Sequence, residues 1–289
     1  MRYLIRPEGS YSLSRSLKRL QDMPRQIVYR VEEGPSYVRA LADGERLGLV
    51  RVTPEPEGLS VWIEGELDHK QALAWLRRAF ALDWDLAAIL SHMDRVDPVM
   101  ARLLRTYPGA RPIGPFSLWE SLAWAVIGQQ VNLSFAFTLK EALVRLGGQS
   151  YGGHPAFPSP ERVAALRYEQ LQAEKYTRRK AEYVIDLARA VAEGRLDLEA
   201  TAALPLAEAT ARLTTLRGVG RWTAEILLMD AGHLNAFPAG DIGVRNAVQR
   251  FYGLDHQPGE EQVRQIGAAW APYSAVACYY LWLGLLDRG

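Results

Sequence analysis

The chain has 289 residues, of which 48% are hydrophobic and 23% are charged, a balance typical of globular proteins. Its formal net charge is only +1, so any binding to nucleic acid requires a local basic patch rather than bulk charge. The single cysteine, Cys278, excludes an intrachain disulfide and a multi-thiolate metal site. Because there is no signal-peptide pattern and no apolar run of about 18 residues, we expect a cytoplasmic protein without membrane segments.

Residues 1–85 predict an α+β domain. A helix is expected over Ser12–Leu20, where leucines recur at helical spacing, and a second helix follows Asp68 as far as Phe80. Between them, β-branched and aromatic residues alternate in four short runs separated by turns rich in Gly and Pro. Connections this short favour an antiparallel sheet. The predicted strands are Gln26–Glu32, Tyr37–Leu41, Arg46–Thr53 and Leu59–Glu64.

Residues 86–289 predict a mainly α-helical, bilobal domain, because apolar residues recur there at three-four spacing and no further strands are expected. The predicted helices are Leu86–Met93, Pro98–Thr106, Leu118–Gln130, Ser134–Leu146, Pro160–Leu166, Lys175–Ala192, Leu206–Leu213, Ala224–Ala231, Ile242–Tyr252, Glu260–Ala269 and Ser274–Leu286.

A tight turn, Gly218-Val219-Gly220, joins two of these helices. Glycine permits positive φ and close backbone approach, and the amides that begin the following helix can bind an anion such as phosphate. Taken alone, the turn is also compatible with an ordinary helix-helix connection. Asp241 stands 21 residues after Gly220 at the start of another predicted helix, where it would serve as an N-cap, as a catalytic carboxylate, or as both.

Three ordered motifs resemble the helix-hairpin-helix DNA glycosylase superfamily, most closely its 3-methyladenine DNA glycosylase II branch. They are Ala125–Asn132, Leu216–Ala224 and Phe237–Asp241, and a tail with Trp270, Pro272-Tyr273-Ser274 and Trp282 is similar as well. The resemblance implies a two-lobed helical domain with a cleft, behind an N-terminal α+β domain. It also implies a monofunctional glycosylase of base excision repair. Such an enzyme flips alkylated bases (3-methyladenine or 7-methylguanine type) out of duplex DNA and hydrolyses their glycosidic bonds, which leaves an abasic site.

The resemblance also assigns residue roles. Asp241 would be catalytic, because cleavage of an N-glycosidic bond builds positive charge on the sugar that a carboxylate stabilises. The hairpin would bind the DNA backbone through its amides. The DNA-binding residues would be Gly218, Val219, Gly220, Arg221 and Thr223. The main-chain oxygens of Thr214, Leu216 and Val219 would hold Na⁺ or K⁺, and no other cofactor is expected.

Trp222 indicates whether a lysine or a water molecule is the nucleophile. Bifunctional members of the superfamily place a lysine nucleophile at this position, so an indole favours water as the nucleophile. An indole in the pocket could also stack on a cationic purine, although packing in the core is the alternative.

Gln129 and Gln130 stand where the family fills the space left by the flipped base, which predicts a polar plug rather than an apolar wedge. Trp282 and Tyr273 are candidates for lining the pocket, with packing of the last helix as the alternative.

The basic run Lys175–Lys180 would lie along phosphates or form a solvated helix surface. The partner implied is double-stranded DNA with alkylated bases, bound by a monomer associated with the bacterial nucleoid. Two other functions stay open: an oxidised-base (8-oxoguanine type) glycosylase with lyase activity, and a noncatalytic helix-hairpin-helix DNA-binding protein.

Overall fold

The protein folds into an antiparallel sheet followed by a helical region, which confirms the predicted α+β class. The computed structural model describes residues 1–21 and 27–286. Five strands form the sheet in the order β1-β5-β4-β3-β2, with every pair antiparallel. They span β1 (Arg2–Ile5), β2 (Arg30–Glu32), β3 (Ser36–Asp43), β4 (Arg46–Glu55) and β5 (Gly58–Gly65).

The sheet buries one face against two helices, α1 (Leu13–Gln21) and α2 (His69–Ala79). In β4 the buried Val50 and Val52 alternate with the partly exposed Arg51 and Thr53, as the period of two requires. The helix α2 begins where Asp68 accepts a hydrogen bond from the Gln71 amide at 2.9 Å, as its N-cap position predicts.

Two strand predictions need correction. The strand expected from Gln26 is observed only over Arg30–Glu32, and Gln26 lies outside the described residues. The edge strand β1 was not predicted, because its four residues are too few for alternation to show and Leu4 is exposed. β1 forms because it pairs with β5, where Ile5 stands opposite Leu59, and local sequence does not reveal this pairing.

Helices occupy most of the rest of the chain, close to the predicted positions. They span α3 (Leu86–Val96), α4 (Pro98–Thr106), α5 (Leu118–Gly128), α6 (Leu133–Gly147), α7 (Pro160–Ala164), α8 (Tyr168–Ala173), α9 (Arg178–Ala192), α10 (Leu198–Ala202), α11 (Leu206–Thr214), α12 (Arg221–Asp230), α13 (Ile242–Tyr252), α14 (Glu260–Ile266) and α15 (Ser274–Leu286). A 3₁₀ helix, Gly267–Trp270, follows α14. No helix among the described residues has the length and apolar character to cross a membrane.

The expectation that strands end at residue 85 was wrong at one place. A small hairpin of β6 (Ser150–Tyr151) and β7 (His154–Pro155) lies between α6 and α7. Ala156, directly after it, forms a parallel bridge with Ala40 of β3, so the hairpin is attached to the sheet by a contact that local sequence does not report. The short helices α8 and α10 were also missed, because five or six residues are too few for helical periodicity.

The helical region has two hydrophobic cores. One is formed by α5 to α12 and includes Val126, Leu143 and Leu227. The other joins α3 and α4 to the C-terminal helices and includes Met93 and Val276. The first and last helices therefore form one lobe and the middle helices the other, as the two-lobed fold requires. The site described below lies where the lobes meet.

A buried charge cluster joins the sheet to the middle lobe. Glu120 of α5 is paired with Arg39 of β3 and, at 3.1 Å, with Lys140 of α6. All three side chains are almost fully buried. Burial opposes the ionisation of Glu120, but its two cationic neighbours hold the pKa of that carboxyl below its usual value. The cluster therefore stays charged within the core.

Candidate active site

A cleft of about 1410 Å³ opens between the lobes and the N-terminal region (residues 1–85). Its walls come from α1 and the sheet, from α5 and the turn after it, from the glycine turn, and from α13 and α15. Asp241, Trp222 and Trp282 all line it. The structure thus brings three of the predicted site residues into one cavity.

Asp241 is held by three hydrogen-bond donors. As the N-cap of α13, its Oδ1 accepts from the Val244 amide at 3.0 Å, and the same oxygen accepts from Trp282 Nε1 at 2.9 Å. Its Oδ2 accepts from Trp222 Nε1 at 3.2 Å. The cap and the cleft carboxylate are therefore the same group, and donors from three helices fix its orientation. A carboxylate held in this way can stabilise positive charge that develops on a bound sugar.

Trp222 lies in the first turn of α12, and its indole reaches the cleft rather than a lobe interior. Its ring passes close to Gly128 at the end of α5, where a methyl group would come within 3.9 Å of Trp222 Cη2. Trp282 reaches Asp241 from α15, at the opposite end of the chain's helical region. Both indole N–H groups donate to Asp241, so a ligand can contact the two rings only on their faces.

The glycine turn adopts the conformation that its sequence predicts. Gly218 has φ +89°, and a Cβ there would come within 2.4 Å of the Tyr183 ring, so only glycine fits. Gly220 begins α12 without a side-chain cap. The first amides of α12, which include those of Trp222 and Thr223, therefore have no intrahelical acceptor and can bind an anion.

Gln129 contacts the glycine turn from the wall of the cleft. Its Nε2 donates to the carbonyl of Gly218 and to the hydroxyl of Thr223, each at 2.8 Å. Gln129 therefore supports the glycine turn, and its role in filling the space of a flipped base stays a prediction. Thr223 is almost fully buried, and its hydroxyl is used in this contact. Gln130, by contrast, is exposed with φ +53° and projects from the turn after α5.

The basic run after residue 175 divides into two parts. Lys180 is buried, and its Nζ donates to the carbonyls of Ile127 (2.6 Å) and Gln129 (2.9 Å), so it caps the end of α5. Arg178 and Arg179 are exposed, with Arg178 paired to Glu182 at 3.0 Å. Only the exposed part of the run is placed to meet a phosphate backbone.

Tyr273 does not line the cleft. Its ring packs edge-on against His92, with centroids 5.4 Å apart, on the far side of α15's first turn. Tyr279 lines the cleft instead. Tyr273 directly precedes α15 and Tyr279 lies within it, so the packing of this segment decides which ring faces the cavity.

The cleft also contains residues that sequence reasoning missed. Arg19 and Tyr29, from the N-terminal region, line it, as does Asp230 at the end of α12. Burial raises the pKa of Asp230 to about 6, partly offset by a hydrogen bond from the Ser121 hydroxyl at 2.6 Å. No local sequence pattern indicates that these residues line the cleft. Arg19, for example, belongs to an amphipathic helix that packs against elements distant in sequence.

The structure thus combines a two-lobed helical fold, a glycine turn and a carboxylate in the cleft. Residues 123–272 match the family described as HhH-GPD superfamily base excision DNA repair protein. The chain is 33% identical over 219 residues to a DNA-3-methyladenine glycosylase of Bacillus subtilis, covering 74% of this chain and 72% of that protein. It is 29% identical over 254 residues to DNA-3-methyladenine glycosylase 2 of Escherichia coli, covering 85% and 84%.

A solved glycosylase structure has a similar fold. The 3-methyladenine DNA-glycosylase from Archaeoglobus fulgidus superposes with a TM-score of 0.81 at 28% identity, covering 98% of this chain and 97% of that one. The chain belongs to the HhH-GPD superfamily of base excision DNA repair proteins. The resemblance drawn from the three motifs is thereby confirmed, and DNA is the substrate on which the protein acts.

Proposed function

We propose that the protein is a monofunctional DNA glycosylase that flips 3-methyladenine- and 7-methylguanine-type bases out of duplex DNA, hydrolyses their N-glycosidic bonds and leaves abasic sites. The observation that carries the proposal is the Asp241 carboxylate, held in the cleft by Val244, Trp282 and Trp222. Departure of the base leaves an oxocarbenium-like sugar, which this carboxylate stabilises while water attacks. The relatives above, named as 3-methyladenine glycosylases, support the choice of lesion.

The lysines of the cleft support water as the nucleophile. In the part of the chain that the structure describes, the lysines lining the cleft are Lys140 and Lys180. Lys140 is paired with Glu120, and Lys180 donates to two carbonyls at the end of α5. Neither ammonium is free to attack a sugar, and Trp222 occupies the position at which lyase members carry their lysine.

Alkylated purines suit this arrangement chemically. Methylation at N3 or N7 gives the base a positive charge, so the base is already a good leaving group. The face of Trp222 can attract such a base through cation–π contact, which contributes about 1 to 2 kcal/mol.

Several further features belong to the proposal. The N-terminal α+β domain is taken as residues 1–85 and the glycosylase domain as 86–289, of which 287–289 lie outside the described residues. The carbonyls of Thr214, Leu216 and Val219 would hold Na⁺ or K⁺ at the hairpin, Arg221 would contact the backbone, and Gln130 would fill the space left by the base. We propose a monomer that works with the nucleoid in the cytoplasm.

The test is release of bases from methylated duplex DNA. We expect purified protein to liberate 3-methyladenine and 7-methylguanine, to leave alkali-labile abasic sites, and to form no covalent adduct with DNA under borohydride. An adduct, together with preferential release of 8-oxoguanine, would instead support the lyase alternative. Binding to DNA with no base released from any substrate would support the noncatalytic alternative.

Alanine substitutions at the two glycines of the hairpin should affect stability and DNA binding separately. Gly218→Ala should lower the free energy of unfolding by about 1 to 3 kcal/mol, because the new methyl meets Tyr183 and the backbone has positive φ. Gly220→Ala meets no atom within 4 Å and has φ −87°, so the loss of stability should be limited to the N-cap preference for glycine, about 1 kcal/mol or less. Its methyl points into open space beside the α12 amides, and we expect about tenfold weaker DNA binding. Thermal unfolding and DNA titration measure the two effects, and equal behaviour of the two variants would contradict the placement.

A further inference from the structure

Arg19 introduces a positive charge into the cleft from outside the helical lobes. It lies near the end of α1, and its guanidinium stands over the Trp282 ring, 5.0 Å from the centroid. Trp282 is the residue whose indole N–H holds Asp241 at 2.9 Å. A side chain from the N-terminal region therefore touches the group that orients the catalytic carboxylate.

Among the described residues, the guanidinium of Arg19 has no hydrogen-bond acceptor, unlike those of Arg39 and Arg78 in the same cleft. Within residues 1–21 and 27–286, its guanidinium forms the cation–π contact but no hydrogen bond or ion pair. Arg39 is paired with Glu120, and Arg78 with Glu199 at 2.7 Å. Arg19 is only partly buried and lines the cleft, so its donors can reach an acceptor on a ligand.

The charge of Arg19 is permanent. Burial lowers its pKa, while Tyr279, Asp241 and Asp230 act in the opposite direction. A guanidinium nevertheless remains protonated at neutral pH. Arg19 thus adds a fixed cation on the catalytic side of the cleft, at the ring face where a positively charged base would otherwise stack.

We propose that Arg19 determines which lesions are accepted, by donating hydrogen bonds to the acceptor edge of the flipped base. This inference rests on the proposed function. The planar fork of a guanidinium matches the paired O6 and N7 acceptors of a purine. A phosphate is the other ligand with suitable acceptors, but the amides for phosphate lie at the glycine turn, whereas Arg19 lies against Trp282 beside Asp241. The base edge is therefore the acceptor that the geometry favours.

The ligand class that follows is a neutral purine with free O6 and N7, of which hypoxanthine is the simplest damaged example. In 7-methylguanine the N7 acceptor is blocked and the base carries a positive charge, so Arg19 gives it no paired hydrogen bonds and repels it. Arg19 should therefore shift the selectivity of the cleft from cationic lesions toward neutral oxopurines.

The experiment compares single-turnover release of hypoxanthine and of 7-methylguanine from duplexes of identical sequence, for wild type, Arg19→Gln and Arg19→Lys. We expect Arg19→Gln to slow hypoxanthine release by about 10- to 100-fold and to speed 7-methylguanine release, because the charge that repels the cationic base is removed. Arg19→Lys keeps the charge but not the fork, so hypoxanthine release should stay slow. Arg15→Gln is the matched control, because Arg15 lies on the same helix and donates to the Pro108 carbonyl instead, at 2.8 Å.

The outcomes separate the possible roles of Arg19. Equal slowing on both lesions overturns the inference: with unchanged thermal stability it indicates a phosphate contact, and with lowered stability a purely structural contact with Trp282. Wild type that releases 7-methylguanine but no hypoxanthine also overturns it, while the proposed function stands. Wild type that releases neither base overturns the proposed function itself.

Discussion

Asp241→Asn is expected to slow base release by about 10²- to 10³-fold while leaving the protein folded, as when a preorganised electrostatic group is removed from an active site. Asparagine has the shape of aspartate, and its side-chain oxygen can still accept from the Val244 amide, so the cap of α13 is retained. What is lost is the negative charge that stabilises the oxocarbenium-like sugar as the base departs. The measurement is single-turnover release of 7-methylguanine at saturating enzyme.

Asp85→Asn provides the matched control for this result. Asp85 is the exposed N-cap of α3, where its Oδ1 accepts from the amides of Ala87 and Ala88 at 3.1 and 3.0 Å. The same chemical change there alters a helix cap without touching the cleft, so release should be unaffected. Release by Asp241→Asn at a rate within about threefold of wild type, with the variant folded, would remove the basis of the proposed function, since such a change is worth less than 1 kcal/mol.

Glu120→Gln is expected to lower the free energy of unfolding at pH 7 by about 3 to 5 kcal/mol. Glu120 compensates two buried cations, Arg39 and Lys140, and an amide leaves both without a counter-charge. The substitution preserves size, so the loss is electrostatic rather than a packing defect. Denaturant unfolding measures it, and Glu55→Gln is the control, because Glu55 pairs with the exposed Arg2 and such pairs contribute about 0 to 1 kcal/mol.

The difference in unfolding free energy between wild type and Glu120→Gln should depend on pH in a definite direction. The pKa of Glu120 is lower in the folded protein than its ordinary value of 4.5. The stability that ionised Glu120 contributes is therefore fully present above about 4.5 and is lost as the pH falls through the lower folded-state pKa. Wild type and Glu120→Gln should thus converge in stability at acid pH. A difference that grew on acidification would contradict the charged cluster.

Local sequence was sufficient for the features that depend on neighbouring residues. The tight turn at Gly218–Gly220, the cap at Asp241 and the absence of a lysine at Trp222 are all properties of a few consecutive positions. The four predicted strands and most long helices follow from periodicity in the same way. Because the three motifs are local and ordered, they indicate the superfamily without the tertiary structure.

Tertiary structure alone decided which side chains meet. Gln129 supports the glycine turn because residues 129, 218 and 223 come together across about 90 positions, and Lys180 is buried because α9 packs against the end of α5. The packing of α15 and the residue before it places Tyr279 in the cleft and Tyr273 outside it. Arg19 reaches Trp282 across most of the chain. Periodicity reports which face of an element is apolar, whereas a contact also depends on how distant elements pack, and that information is not contained in any local stretch of sequence.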